Sequence, residues 1–224
     1  MGTVEFLNEM VRIHSHIITY GNASSPEITE GIRAEIEEMW NEPDGFIFLK
    51  NNLYKVRFEI TAEHAPLISP MDIYQNVDAR NNYFRIEEFS HHHISFVDDL
   101  GCNSGYFKLD NLYKGSTTAA HEYGHTLGLS HPRDLDIRHA EVPGIMYPRG
   151  TLVKNKFQYN EAAISGDNTQ GGTMHPKYRK VRQEDIENLR IPKLSFEGNS
   201  AIIGAFTNVW HPNHRTIPPQ EVIG

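Results

Sequence analysis

The stretch TTAAHEYGHTLGLSHP, residues 117–132, carries His121, Glu122, His125, Gly128 and His131. At about 100° per residue, His121 and His125 lie on one face of a helix, one turn apart, close enough to share an ion. His131 does not belong to that face. Six further residues would turn a continuing helix by about 600°, leaving it roughly 120° away from His125. The helix must therefore end before His131. Gly128 can end it in the left-handed conformation at little steric cost, so that His131 returns from a loop. The spacing thus predicts three imidazoles converging on one point.

Three neutral imidazoles suit Zn²⁺ and leave its fourth position open to water, the arrangement of catalytic rather than structural zinc. Glu122 directly follows the first histidine. In an H-E-x-x-H helix that carboxylate stays off the metal and serves as general base toward the water. Zinc lowers the pKa of such a water to about 7, within reach of a carboxylate base at neutral pH. The chemistry expected is metal-assisted hydrolysis of an amide bond. Five fixed positions match by chance on the order of 10⁻⁷ per register. The competing readings are a helix with incidental histidines and a closed, structural zinc site; neither needs Glu122.

Upstream, residues 26–40 place Ile28, Ile32, Ile36 and Met39 at helical spacing, with Pro26 and Glu27 in the first turn. Asn41 to Gly45 reads as a turn. Tyr54, Val56, Phe58 and Ile60 alternate with polar neighbours, the periodicity of a strand, and further strands are expected at 82–89, 93–99 and 105–109. The histidine helix should start near Ser116 as N-cap. A last helix is expected at 182–191. Between these helices lies a polar stretch, 155–180, of a length that is usually functional or mobile. A tail, 192–224, contains AIIGAF and ends near Pro218-Pro219.

The chain has 224 residues, 38% hydrophobic and 22% charged, the size and composition of one soluble globular domain. Its net charge of −8, with no basic cluster, argues against nucleic acid as a partner. No apolar run approaches the roughly 20 residues of a membrane span. The first residues lack the basic region and apolar core of a signal peptide. Cys102 is the only cysteine, so no internal disulfide forms, and an inert, partly buried thiol is expected.

HEYGHTLGLSHP matches in full the HExxHxxGxxH signature of the metzincin metallopeptidases, which the chain resembles. That clan also has a methionine in a tight turn beneath the zinc, and VPGIMYPRG (142–150) supplies Met146. Pro132 after the third histidine is similar to the serralysin pattern, whereas GIMYP is similar to the matrixin Met-turn. The position two residues after Met146 is Pro148, so no tyrosine zinc ligand is implied. RQEDIENL, with Glu184-Asp185, resembles the matrixin final helix. The resemblance implies an α+β fold: a twisted mixed β-sheet with two long helices in an upper lobe (about 1–131), and a small lower lobe (about 132–191) holding the Met-turn and C-terminal helix. It implies a single catalytic domain over 1–224, and an extracellular site of action. It also implies that a peptide lies along the edge strand, beside a pocket shaped by about 147–165.

Weaker signals surround this centre. His91-His92-His93, with Asp98 or Asp99, raises a second zinc, but adjacent strand residues alternate faces and a solvated strand end is preferred. DDLGCNSG (98–105) has the composition of a calcium loop without its spacing, so an ordinary turn is preferred. Tyr147 and Tyr159 are candidates to reach the substrate pocket and stabilise an oxyanion, against a packing role for each. His211 and His214 read as surface histidines, and Tyr178-Arg179-Lys180 as a solvated charge run. The expected protein is a monomeric zinc endopeptidase acting on peptide or protein substrates. In it His121, His125 and His131 hold zinc, Glu122 is the base, and Met146 forms the floor. The alternatives are a zinc-loaded binding module with little proteolysis and an amidase on non-peptide amides.

Overall fold

The computed structural model describes residues 1–49 and 51–215; Pro218 and Pro219 lie outside them. Strands β1 (Gly2–Leu7) and β2 (Met10–Tyr20) form an antiparallel hairpin whose turn uses Asn8 at φ 56°. Helix α1 (Pro26–Asn41) follows. The Ser25 hydroxyl accepts the Ile28 amide at 3.2 Å, and Pro26 occupies a first-turn position where no N–H is needed. Strands β3 (Phe46–Leu49) and β4 (Asn52–His64) make a second hairpin. The short α2 (Pro70–Tyr74) is opened by a Ser69–Asp72 capping box. Then come β5 (Asn81–Glu87), β6 (Phe96–Val97), β7 (Ser104–Lys108), α3 (Thr118–Thr126), α4 (Gln183–Asn188) and β8 (Ser200–Ile203).

The architecture is α+β, the class expected. One mixed sheet runs in the order β3-β4-β2-β5-β7-β6, with β1 beside β2 and β8 beside β1. The β2–β4, β2–β5 and β5–β7 pairs are parallel; the hairpins and the edge pair β6–β7 are antiparallel. β2 is long enough to take two partners in succession on one side: β1 along Met10–His14 and β5 along His16–Tyr20. The 93–99 strand contracts to Phe96–Val97, because His91–Ile94 form an exposed turn with His93 at φ 58°.

Alternation along β2 sends Val11, Ile13, Ser15, Ile17 and Thr19 to the face that receives the two principal helices. α1 contributes Ile32, Ile36 and Trp40, and α3 contributes Ala119, Ala120 and Tyr123, to one apolar cluster with Phe58, Phe84 and Phe107. Trp40 is 1% exposed; removing an aromatic of this size from water stabilises by roughly 4–6 kcal/mol before entropy is counted. The polar members of the face are satisfied at long range. Ser15 Oγ lies 2.8 Å from Tyr123 Oη, and Thr19 Oγ1 lies 2.5 Å from Thr29 Oγ1. The histidine helix is thereby pinned to the central strand.

The opposite face carries Ile18, Tyr20, Ile73 and Tyr83. The tail covers it: Trp210 stacks on Tyr20 at 4.8 Å, and Thr207 and Asn208 bond to Asn103. His211 is no surface histidine. It is 9% exposed, its carbonyl accepts Arg85 Nη1 at 2.9 Å, and its ring meets Asp98. Aromatic neighbours and a buried arginine hold it where a solvated side chain was expected. His214 stacks on Tyr106 at 4.0 Å. Within the stretch 98–105, residues 98–103 form a turn that leads into β7, with the Cys102 amide donating to Asp99 O at 3.1 Å, and burial raises the pKa of the Cys102 thiol.

Candidate metal centre

α3 starts without a cap of its own. Thr117 sits at φ 54°, a left-handed conformation that is costly for a β-branched residue, and its hydroxyl caps nothing. The first-turn amides are satisfied from outside the helix. Ser116 Oγ accepts the Thr118 amide at 3.3 Å, and Glu35 of α1 accepts the Ala120 amide at 3.2 Å. Trp40 Nε1 donates to Ala120 O at 3.0 Å. α1 therefore grips both backbone groups of the residue before His121. Burial raises the Glu35 carboxyl pKa while these amides pull it down, so an acceptor carboxyl stands against the helix N-terminus.

The C-terminal end closes at Gly128, φ 93°. Its amide donates to His125 O and the Leu129 amide donates to Gly124 O, both at 3.0 Å, a Schellman closure. The chain then reverses and brings His131 back to the helix. His121 Nε2 and His125 Nε2 lie 3.0 and 3.1 Å from His131 Nε2. Among the described residues, these three side chains are the group of His, Cys, Asp or Glu that places three donor atoms within 4.8 Å of one another. No second group of that kind is found among the described residues.

The outward nitrogens are fixed. His121 Nδ1 lies 2.7 Å from Ile145 O, and His125 Nδ1 lies 2.7 Å from Leu129 O. A carbonyl only accepts, so both Nδ1 atoms carry the proton and both Nε2 lone pairs point inward. Burial lowers the pKa of all three rings, that of His125 to about 4 and that of His121 well below its usual value, which keeps them neutral. His131 Nε2 has at most one proton for two bare acceptors. That leaves lone pairs facing one another in a way a cation relieves. Tetrahedral zinc at about 2.0–2.1 Å from each nitrogen sets them about 3.3–3.4 Å apart, close to the spacing found. The donor set fits zinc.

Met146 lies beneath the helix. A Cβ on Gly124 would fall 2.4 Å from Met146 Sδ and 3.2 Å from Trp40 Cζ2, so the glycine is what admits the thioether. The preceding residue, Ile145, supplies the carbonyl that orients His121. α4 braces the same turn: Asp185 accepts the Arg182 amide at 2.8 Å and the Ile145 amide.

A cavity of about 370 Å³ opens beside the histidines, lined by Ser95, Phe96 and Val97 at the sheet edge and by Thr118, Glu122, Pro148, Arg149 and Arg179. Glu122 is 7% exposed. Burial pushes its carboxyl up to about 8, against the pull of Arg179 and the Val97 amide. Tyr147 and Tyr159 do not line this cavity. The Tyr147 ring packs beside Ile137, Val153 and Met174, and the Tyr159 ring lies tilted against His175, centroids 4.5 Å apart. Of the segment 147–165, Pro148 and Arg149 form the wall. Arg179 is not part of a solvated run: it is 3% exposed, while Lys180 next to it pairs with Glu42 at the surface. Sequence reading passed over Arg149, Glu35 and Gly124, and took Arg179 for a solvated residue. Only Gly124, a helix-breaking residue inside an otherwise regular helix, carried a local signal.

No protein-family model matches this sequence, and no curated protein does. Among solved structures the chain is similar to archaemetzincin from Methanopyrus kandleri, at 11% identity and TM-score 0.42, over 79% of this chain and 94% of that one. It is also similar to myroilysin, at 14% identity and TM-score 0.29, over 82% of this chain and 76% of that one. The motif and the histidine geometry, rather than these likenesses, bear the functional reading that follows.

Proposed function

We propose that this protein is a zinc-dependent endopeptidase. The observation that carries the reading is a buried carboxyl, Glu122, lining the same cavity as three histidines whose bare ring nitrogens face one another. His121, His125 and His131 hold the ion; zinc, when bound, supplies a Lewis acid that polarises a carbonyl and acidifies water. Glu122 serves as general base, taking a proton from the attacking water and passing it to the leaving amine. Without the ion, burial holds this carboxyl up to about 8, largely protonated at neutral pH; the positive charge of a bound cation favours the carboxylate form that acts as base. Met146 is the floor that keeps the Ile145 carbonyl on His121.

β6 is the end strand of the sheet order, paired with β7 on one side, and both its residues line the cavity. An extended peptide adding to its free edge would have its backbone oriented by main-chain hydrogen bonds and laid past Glu122. No helix among the described residues is long and apolar enough to cross a membrane.

The test uses unfolded casein, with and without a chelator, beside Glu122→Ala, with zinc content measured on each sample. Cleavage that stops on chelation, returns with zinc and is absent from the zinc-loaded variant supports the reading. Cleavage that persists in Glu122→Ala overturns it. Stoichiometric zinc without cleavage of any peptide points to a binding module, and hydrolysis confined to non-peptide amides points to an amidase.

A further inference from the structure

The described residues contain two buried arginines, and they are treated differently. Arg85 pairs with Glu87 at 2.5 Å. Arg179, more deeply buried, has no carboxylate within ion-pair distance. Its Nε donates to Thr117 Oγ1 at 2.8 Å, Nη1 to Tyr147 O at 3.2 Å and Nη2 to Ser116 O at 3.1 Å. All three acceptors are neutral. A guanidinium has five N–H groups, so one remains on each terminal nitrogen. Burying a charge without a counter-ion is costly unless another group completes the site.

The second guanidinium makes the cost larger. Arg149 lines the same cavity and lowers the Arg179 pKa through like-charge repulsion, added to the effect of burial. Arg149, like Arg57, Arg133 and Arg190, has no hydrogen-bonded or ionic partner among the side-chain contacts of the described residues, but unlike them it faces this cavity. Glu122 and Glu35 act on Arg179 only from beyond contact. In a chain of net charge −8, the cavity beside the histidines gathers two guanidiniums against the single carboxyl of Glu122.

We propose that Arg149 and Arg179 form a carboxylate-recognition site that selects substrates bearing an anionic group next to the scissile bond, an inference that rests on the hydrolase reading above. A carboxylate accepts two parallel N–H bonds from a guanidinium fork, which suits the two unused N–H groups of Arg179. Arg149, at the more open wall, adds a second charge. The carboxylate has two sources, an Asp or Glu side chain or the free C-terminus of a short peptide. Each would be drawn in by charge and fixed by geometry.

The experiment uses zinc-loaded protein and N-acetylated peptides that differ only beside the cleaved bond: Asp, Asn, Glu or Gln, each with an amidated or a free C-terminus. The expected result is a kcat/KM at least tenfold higher for a carboxylate than for its isosteric amide. Arg149→Gln should collapse that ratio toward one, and Arg149→Lys should restore part of it. Preference for Asp or Glu in amidated peptides assigns the side chain; preference for the free acid assigns the C-terminus. Equal rates for Asp and Asn peptides, together with equal rates for free-acid and amidated C-termini, overturn the proposal, as does a ratio unchanged in both Arg149→Gln and Arg179→Lys. An arginine that merely stabilised an oxyanion would lower kcat for every peptide and leave the ratio intact, which also overturns it. If no peptide is cut, the hydrolase reading fails separately. Fluorescence anisotropy of labelled Asp and Asn peptides, each with a free and an amidated C-terminus, on metal-free protein then decides the carboxylate site, with at least tenfold tighter, salt-sensitive binding of a carboxylate over its amide expected and equal binding of all four overturning it.

Discussion

Replacing Gly124 with alanine tests whether the methionine floor is fixed. The new Cβ would stand 2.4 Å from Met146 Sδ, 3.1 Å from Met146 Cε and 3.2 Å from Trp40 Cζ2. Carbon and sulfur pack near 3.5–4.0 Å, so the thioether must retreat by about 1 Å or more. Little space receives it, because Met146 is 3% and Trp40 1% exposed. Overpacking of this kind costs about 1–3 kcal/mol, while alanine returns about 1 kcal/mol of helix propensity. The net loss is up to about 2 kcal/mol, or several degrees in Tm for a protein of this size. A retreating Met146 also drags the Ile145 carbonyl, 2.7 Å from His121 Nδ1. Loss of such an orienting contact weakens metal binding by roughly 10–100-fold. Thermal unfolding of metal-free protein, paired with zinc titration against a chromophoric chelator, reads both effects. A Gly124→Ala protein as stable as the parent, with unchanged zinc affinity, would show that Met146 swings aside freely and that the tight contact has no role.

Glu122→Gln should lower kcat by about 10²–10⁴ with zinc content unchanged, measured by elemental analysis and peptide turnover. Glu35→Ala should cost about 1–2 kcal/mol in denaturant unfolding, because it removes an N-terminal acceptor of the histidine helix. Zinc at a thousandfold excess over its Kd should add about 4 kcal/mol, roughly 8–16 °C in Tm, a gain that a chelator reverses. Asp185 is held up to about 6 by burial, from 3.8 when unfolded. Between these values the folded protein binds more protons than the unfolded one. Its contribution is therefore present below about pH 4 and lost as pH rises through 6, at most about 3 kcal/mol. Asp185→Asn should flatten that slope in denaturation curves taken from pH 4 to 8.

The histidine helix was legible because its spacing obeys two independent rules at once, helical periodicity and ligand convergence, both settled within fifteen residues. α1 and β4 were legible from simple apolar periodicity. β2 was not, because two of its core-facing positions are Ser15 and Thr19, whose hydroxyls are satisfied by Tyr123 and Thr29, far away in sequence. Arg179 looked solvated because it stands beside Lys180 and Tyr178; its acceptors come from residues 116, 117 and 147. Glu35 resembles its exposed helical neighbours until α3 docks against it. In each case the deciding partner is remote, and composition carries no trace of it.

β8 zips onto β1, pairing Ile203 with Gly2 across nearly the whole chain, and Trp210 completes the face begun at Tyr20. Contacts that join such distant segments delay assembly, since the entropy of closing a very long loop is spent before any pairing rewards it. On the ribosome, the first strand must stay unpaired on that edge until almost everything described has emerged. Synthesis of this protein should therefore leave a sticky hydrophobic border exposed for seconds, a window in which chaperone capture competes with aggregation.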